Sequence, residues 1–275
     1  MARPTAEIGL FGGSGFYSFL GDCEELFVQT PYGAPSDRVA VGEVGGRTVA
    51  FLARHGKGHS IPPHGINYRA NVWAMRELGV TRLIAPCAAG SLKGEVAPGE
   101  FVICDQVVDR TGGRADTFYD GPVIVHVGFA DPYCPDLRAL AIEIGEELGI
   151  PMRSTGTVVV IQGPRFSTRA ESAFYARQGW EVINMTQYPE VALARELEMC
   201  CLNISLITDY DVGIEGVPAV TAAEVGRVFM DNNEKLRGLL TELIPRIPEK
   251  RPCPCATSLE EARMQPAAQT VIPSR

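Results

Sequence analysis

Short runs rich in β-branched residues alternate with amphipathic helical stretches along most of the chain, and that alternation leaves few folds open. Strand-like runs cover residues 7–11, 38–44, 48–53, 82–85, 101–108, 155–161, 181–184 and 201–207. Among the helical stretches, residues 136–148 place Leu137, Leu140, Ala141, Ile144 and Leu148 on one face, with Pro135 and Asp136 fitting the start and Gly149 the stop. Residues 67–78 form a second helix. Thr168 with Glu171, and Thr221 with Glu224, have the spacing of capping boxes. The second box opens a helix to about Leu243, apolar at Val225, Val228, Leu236, Leu239, Leu240 and Leu243. Strands interleaved with helices in this way predict an α/β fold, a central mixed twisted sheet flanked by helices on both faces. Gly45-Gly46 predicts a two-residue hairpin turn.

With 275 residues, 45% of them hydrophobic, the chain can bury one large core. No linker interrupts it before a proline-rich stretch with Pro245, Pro248, Pro252 and Pro254. One domain over residues 1–248 is therefore expected, followed by a tail, residues 249–275, crossing the surface and packing on the domain or on a neighbouring subunit. The net charge of -8 argues against a nucleic-acid scaffold, because phosphate backbones select basic surfaces. A small anion remains compatible, since a few local donors suffice to hold it. No stretch approaches the length of a membrane span, and the start Met1-Ala2-Arg3-Pro4 carries no apolar leader, so the expected location is the cytoplasm. Cys87, Cys104 and Cys200 sit in apolar runs, where a reduced thiol behaves as a small hydrophobe.

Five segments carry residue types suited to chemistry. Gly12-Gly13-Ser14-Gly15 follows the first strand; its backbone amides and the Ser14 hydroxyl can approach an anion. It lacks the third glycine of a dinucleotide loop and the lysine of a nucleotide-triphosphate loop, and serves equally as a plain tight turn. Ala53-Arg54-His55-Gly56 ends another strand: Arg54 offers a planar fork for phosphate and His55 a donor beside it. His55, His59 and His64 lie in a loop rich in glycine and proline, without a fourth ligand nearby, so no metal is expected there. Gly163-Pro164-Arg165-Phe166-Ser167 can present Phe166 to a planar ring, although a core aromatic fits the same pattern better. Asn184-Met185-Thr186 offers a hydroxyl for an anion and an apolar cover, with Glu190 following as either a site residue or a first-turn helix carboxylate. Last, the apolar strand 201–207 runs into Thr208-Asp209-Tyr210-Asp211. Ligand sites in α/β sheets lie beyond the carboxyl ends of strands, and two carboxyls there suit acid–base work. A cap or turn role fits these aspartates at least as well on local grounds.

Taken in chain order, these segments resemble the purine nucleoside phosphorylase superfamily, in particular its trimeric 5'-methylthioadenosine phosphorylase branch. The resemblance also rests on Asn67-Tyr68-Arg69-Ala70-Asn71, Ala88-Ala89-Gly90-Ser91-Leu92, Asp109-Arg110-Thr111, Phe118-Tyr119-Asp120-Gly121 and Pro189-Glu190, and so spans nearly the whole chain. It implies a three-layer phosphorylase-type fold and the phosphorolysis of a nucleoside, with phosphate as co-substrate and no metal or organic cofactor. By position it implies that Ser14, Arg54, His55, Thr186 and the Cys87-Ala88 loop hold phosphate. Met185 would meet the ribose, Phe166 the base, Asp209 its N7 and Asp211 its 6-amino group, with Tyr210 between them. Ser167, Ala222 and Val225 match positions tied to base and 5'-group preference. His126 and Val271 match residues lent to a neighbouring subunit, which implies a homotrimer. An aspartate at position 209 favours 6-aminopurines over 6-oxopurines, because an amino group donates to a carboxylate. Cys87 departs from the threonine usual in the family, and a thiol is a poor phosphate donor. Ala222 replaces a larger aliphatic residue, which widens the 5' pocket. Cys253-Pro254-Cys255 resembles a Cys-x-Cys element of some heat-adapted members; reduced thiols are expected here. The competing readings are a 6-oxopurine or broad-specificity phosphorylase, a nucleosidase that works without phosphate, and a non-catalytic purine-binding protein.

Overall fold

The computed structural model describes residues 4–13, 19–212, 221–260 and 262. Its strands join one eleven-stranded sheet. The main path runs β2 (Glu24–Leu26), β3 (Val39–Val44), β4 (Arg47–Ala53), β1 (Ile8–Gly12), β5 (Arg82–Ser91), β10 (Val182–Asn184), β9 (Thr157–Ile161) and β7 (Gln106–Arg110). A branch leaves it at β5, where β11 (Cys200–Tyr210) pairs in parallel and carries β6 (Phe101–Val102), which in turn pairs β8 (Met152–Arg153).

The branch explains the shape. β11 follows one edge of β5 from Arg82 to Ser91. On the opposite edge β1 pairs in parallel only as far as Ile84, and β10 pairs antiparallel only at Gly90 and Ser91. Between those contacts the edge of β5 has no strand beside it, and a cavity opens there.

The strands are apolar on both faces because helices cover both. Ile8 and Leu10 of β1 pack with Leu137, Ala141 and Ile144 of α2 (Pro135–Glu147) and with Leu236, Leu239, Leu240 and Leu243 of α5 (Ala222–Arg246). Phe11 of the same strand faces the other way, into a core shared with Val72, Ala74 and Met75 of α1 (Tyr68–Glu77) and Val191, Leu193 and Ala194 of α4 (Gln187–Glu196). The period-two alternation of a strand thus sorts its side chains into two cores, giving the expected three layers. The remaining helix, α3 (Arg169–Arg177), starts with the expected capping box between Thr168 and Glu171. The Glu224 side chain lies outside the described residues.

Three expectations change. Residues 101–108 form two strands, because β6 belongs to the β11 branch whereas β7 pairs with β9 on the main path. A single straight strand cannot serve both. The strand expected over residues 155–161 begins at Thr157 as β9, and the separate β8 lies before it on the β11 branch. The strands at 82 and 201 run further than the apolar pattern suggested, so that Asp209 and Tyr210 lie within β11 rather than beyond it.

The segment after α5 packs on the domain over its described residues. Helix α5 continues through Pro245, whose ring lies against the Gly45-Gly46 hairpin turn. Arg82 then donates to the Pro248 and Glu249 carbonyls, Arg251 donates to the Glu198 carbonyl at 2.6 Å, and Cys253 and Cys255 are buried in the core beside α2 and α5. Ser258 Oγ donates to the Arg195 carbonyl at 2.8 Å. Backbone anchoring and two small apolar thiols hold this stretch down against the sheet.

Gly45 has φ +56, and a Cβ there would stand 2.2 Å from Pro245 Cγ. Gly45→Ala is expected to destabilise the protein by about 1–3 kcal/mol through backbone strain and overpacking, read as a lower urea midpoint at unchanged m-value.

Candidate active site

The cavity beside β5, about 510 Å³, is walled by the ends of several elements. Gly13 follows β1, Arg54 and His55 follow β4, Met185 and Thr186 follow β10, and Asp209 and Asp211 end β11. Phe166 and Ser167 lie between β9 and α3, and Ala222 and Val225 sit in the first turn of α5. Strand ends far apart in sequence converge because the parallel strands β1, β4, β5 and β11 all point the same way.

Arg54 is anchored first by its backbone, its N–H donating to the Gly12 carbonyl at 3.1 Å. Its guanidinium is 3% exposed and grips Glu190, itself 0% exposed, through Nε to Oε1 at 2.5 Å and Nη2 to Oε2 at 2.8 Å. Nη1 donates to the Pro86 carbonyl at 3.2 Å. Burial lowers the Arg54 pKa, but Glu190 more than offsets this and the group is raised overall, hence cationic. Burial in turn raises the Glu190 carboxyl, against the pull of Arg54. Three of the five guanidinium N–H bonds are taken by partners among the described residues, and Arg54 lines the cavity. Sequence reasoning offered Glu190 two roles and found neither the partner nor the geometry.

His55 corrects an expectation. Its Nδ1 lies 2.9 Å from the Ile61 carbonyl, which can only accept. Burial, with smaller help from the charges of Arg54 and His59, lowers the imidazole pKa to about 4. The ring is therefore neutral at pH 7, protonated on Nδ1, and its Nε2 is an acceptor rather than the expected donor. It suits the hydroxyl of a protonated oxyanion. His59 stacks on it at 4.2 Å between centroids.

Thr186 is buried but lines the cavity, and no side-chain cap bond ties it to α4. Cys87 turns its sulfur elsewhere: Sγ accepts from Asn184 Nδ2 at 3.1 Å and from Asn203 Nδ2 at 3.4 Å. Any contact of residues 87 and 88 with an anion in the cavity therefore falls to backbone. Ser14 lies outside the described residues, as does Val271.

The two aspartates owe their aim to an irregularity. The β5–β11 register shifts between Ile207 and Asp209, leaving Thr208 as the extra residue of a β-bulge. Thr208 Oγ1 lies 2.7 Å from Asp209 Oδ2 and 3.2 Å from the Ala89 carbonyl. Gly90 opposes Asp209, and a Cβ there would stand 3.1 Å from Asp209 Oδ1. Asp211 is 3% exposed, and burial raises its carboxyl pKa; Ser172, the Val212 backbone and Ser167 act in the opposite sense. Asp211 Oδ2, Ser167 Oγ and Ser172 Oγ are buried, and among the described residues none of these atoms has a partner in hydrogen-bond geometry. Of these, Asp211 and Ser167 line the cavity, where such groups can offer hydrogen bonds to a polar ligand.

Other expected residues divide. Phe166 is 39% exposed at the cavity wall, so it is not a core aromatic. Met185 lines the cavity with its sulfur against Gly163. Tyr210 is a correction: strand alternation turns it from the cavity, and its hydroxyl donates to the Gly94 carbonyl at 3.4 Å. His126 is exposed and outside its own cavity, with its N–H on the Ala262 carbonyl.

A family model described as the phosphorylase superfamily matches residues 7–245. The chain belongs to this superfamily. It is 55% identical over 258 residues to the S-methyl-5'-thioadenosine phosphorylase of Thermofilum pendens, covering 93% of this chain and 98% of that one. It is 50% identical over 267 residues to a purine nucleoside phosphorylase of Streptomyces coelicolor, covering 94% and 95%. Among solved structures, the methylthioadenosine phosphorylase of Schistosoma mansoni in complex with adenine superposes with a TM-score of 0.88 at 33% identity, covering 94% of this chain and 99% of that one. Among the described residues of this phosphorylase-superfamily chain, no helix is long and apolar enough to cross a membrane.

Two outcomes follow from the site. Glu190→Ala strands the buried Arg54 charge and is expected to cost about 3–5 kcal/mol of stability, measured by denaturant unfolding. Because the folded-state pKa of His55 is lowered from 6.5 to about 4, the unfolded chain binds more protons inside that window. Stability should fall as pH drops from the first value to the second, and unfolding titrations of His55→Gln should show a shallower fall.

Proposed function

We propose that the chain catalyses phosphorolysis of 5'-methylthioadenosine or a closely related 5'-deoxy-5'-substituted adenosine, giving adenine and a 5-substituted ribose 1-phosphate. The reading rests on one observation above all: a buried, charged Arg54 and a paired-aspartate strand end face the same cavity. The names of the phosphorylase relatives and the adenine complex of the Schistosoma enzyme agree with it.

Cleaving the bond from the sugar to N9 puts positive charge on the ribosyl ring and negative charge on the purine. Phosphate held by Arg54, by Thr186 and by the backbone at residues 87–88 opposes the first and attacks the sugar carbon. The acceptor Nε2 of His55 takes a phosphate hydroxyl. Asp209, steadied by Thr208, meets N7 as a protonated donor or through a shared proton and relieves the second charge. Both effects are electrostatic and act where charge develops. Asp211 Oδ2, buried and without a partner among the described residues, receives the 6-amino group. Phe166 packs on the base, and Met185 covers the ribose. Ala222 and Val225, with the Val271 position of a neighbour, leave an apolar 5' pocket. No metal or organic cofactor enters this scheme.

Val123 and Ile124, just before His126, are exposed, and His126 does not line its own cavity. This supports a homotrimer in which His126 completes a neighbour's site, with the mass by sedimentation as the check. The Streptomyces relative keeps a broader purine specificity in view.

Release of adenine is expected to require phosphate, and methylthioadenosine is expected to turn over faster than inosine. Faster turnover of inosine, or full activity without phosphate, defeats the assignment. Asp209→Ala should lower kcat by at least ~10²-fold, the scale of lost general-acid help, in a phosphate-coupled steady-state assay.

A further inference from the structure

Four cysteines meet on the face of the sheet covered by α2 and α5, in a core distinct from the catalytic cavity. Cys134 precedes the first turn of α2, Cys200 opens β11, and Cys253 and Cys255 flank Pro254 in the segment after α5. All four are buried, and their sulfurs all lie within 4.8 Å of one another. Cys200 Sγ and Cys253 Sγ are 3.3 Å apart. None of the four lines the cavity.

Hydrophobic packing explains one buried thiol at a time, not four sulfurs gathered at a point. A tetrahedral zinc–thiolate centre has Zn–S bonds of about 2.3 Å, which sets sulfur–sulfur edges of roughly 3.8 Å. The observed cluster needs only small side-chain adjustments to reach that figure. Its donors are all soft sulfur, the set that selects zinc over hard cations. All four positions are filled by protein, the mark of a closed structural site rather than a catalytic one.

Charge provides a second observation. Zinc with four thiolates carries a net charge of minus two, which must be compensated in a buried site. Arg195 Nη1 donates to Cys255 Sγ at 3.5 Å. Arg82, itself buried, lies within electrostatic range of Cys134, Cys200 and Cys253. Cys134 also stands at the amino end of α2, the positive end of a helix dipole.

We propose that Cys134, Cys200, Cys253 and Cys255 form a structural zinc site that staples the segment after α5 to the sheet. On binding, four thiols lose four protons to solvent and one zinc ion takes up the four thiolates, with no change of oxidation state. The staple has a consequence beyond stability. The segment it holds runs on to Ala262, whose carbonyl accepts from the His126 N–H at 2.8 Å, so the same metal sets the position of the His126 loop.

The test is elemental analysis of the full-length protein purified without chelator, together with its intact mass under denaturing, non-reducing conditions. About one zinc per chain and a mass with every cysteine reduced are expected. Replacement by Co(II) should give the visible spectrum of a tetrahedral all-sulfur site. Removal of zinc should lower the thermal midpoint by roughly 5 °C or more. The double variant Cys253→Ser with Cys255→Ser should lose the metal, whereas Cys23→Ser, exposed and remote from the cluster, should keep it. Failure of the wild-type protein to hold zinc, even after titration with zinc in the presence of reductant, overturns the proposal. So does a mass four hydrogens lower, which means two disulfides, or full zinc retention by the double variant.

Discussion

Everything in this molecule depends on β5 keeping one neighbour while exchanging the other. Its parallel ladder with β11 holds from Arg82 to Ser91. The opposite edge passes from β1 to β10 with a gap between Ile84 and Gly90. A strand whose edge is paired throughout offers no backbone to a ligand. The gap does, and it lies where the ends of β1, β4 and β11 also arrive. Branching the sheet at this point creates the cavity, and it forces the chain at residues 101–110 and 152–161 to divide each run between the two branches.

Within the cavity, local electrostatics override the overall balance. A protein of net charge -8 binds an anion only where a cation is fixed and desolvated. Arg54 meets that condition because Glu190 holds it in a bidentate pair. The neutral His55 beside it adds an acceptor without a second positive charge. Across the cavity, Asp209 and Asp211 present carboxyls whose aim follows from the Thr208 bulge and from the absence of a side chain at Gly90. Charge complementarity here is a matter of a few placed groups, each oriented by a second residue behind it.

The last part of the chain belongs to the same construction. Cys253 and Cys255 join the core that α2 and α5 share with the sheet, and the arginines at 82 and 251 fasten the intervening backbone. The segment therefore connects the layer opposite α1 and α4 to the exposed loop around His126.

Much of this was legible in the residues themselves. Periodicity located the helices at 68, 135, 169 and 222, and the Gly45-Gly46 turn, because these depend on interactions within a few residues. The motifs at Arg54, Thr186 and Asp209 could be placed at strand ends for the same reason. The sequence did not disclose Glu190 as the partner of Arg54, the acceptor role of His55, the outward turn of Tyr210 or the meeting of four cysteines. Glu190 and the cysteines depend on contacts between segments tens of residues apart, Tyr210 on a one-residue register shift, and His55 on burial and on the Ile61 carbonyl across its own loop. Local pattern determined which elements form and which residue types stand at their ends. Only the tertiary structure decided which of those ends meet and in which protonation state, because pairing register and burial belong to the assembled sheet.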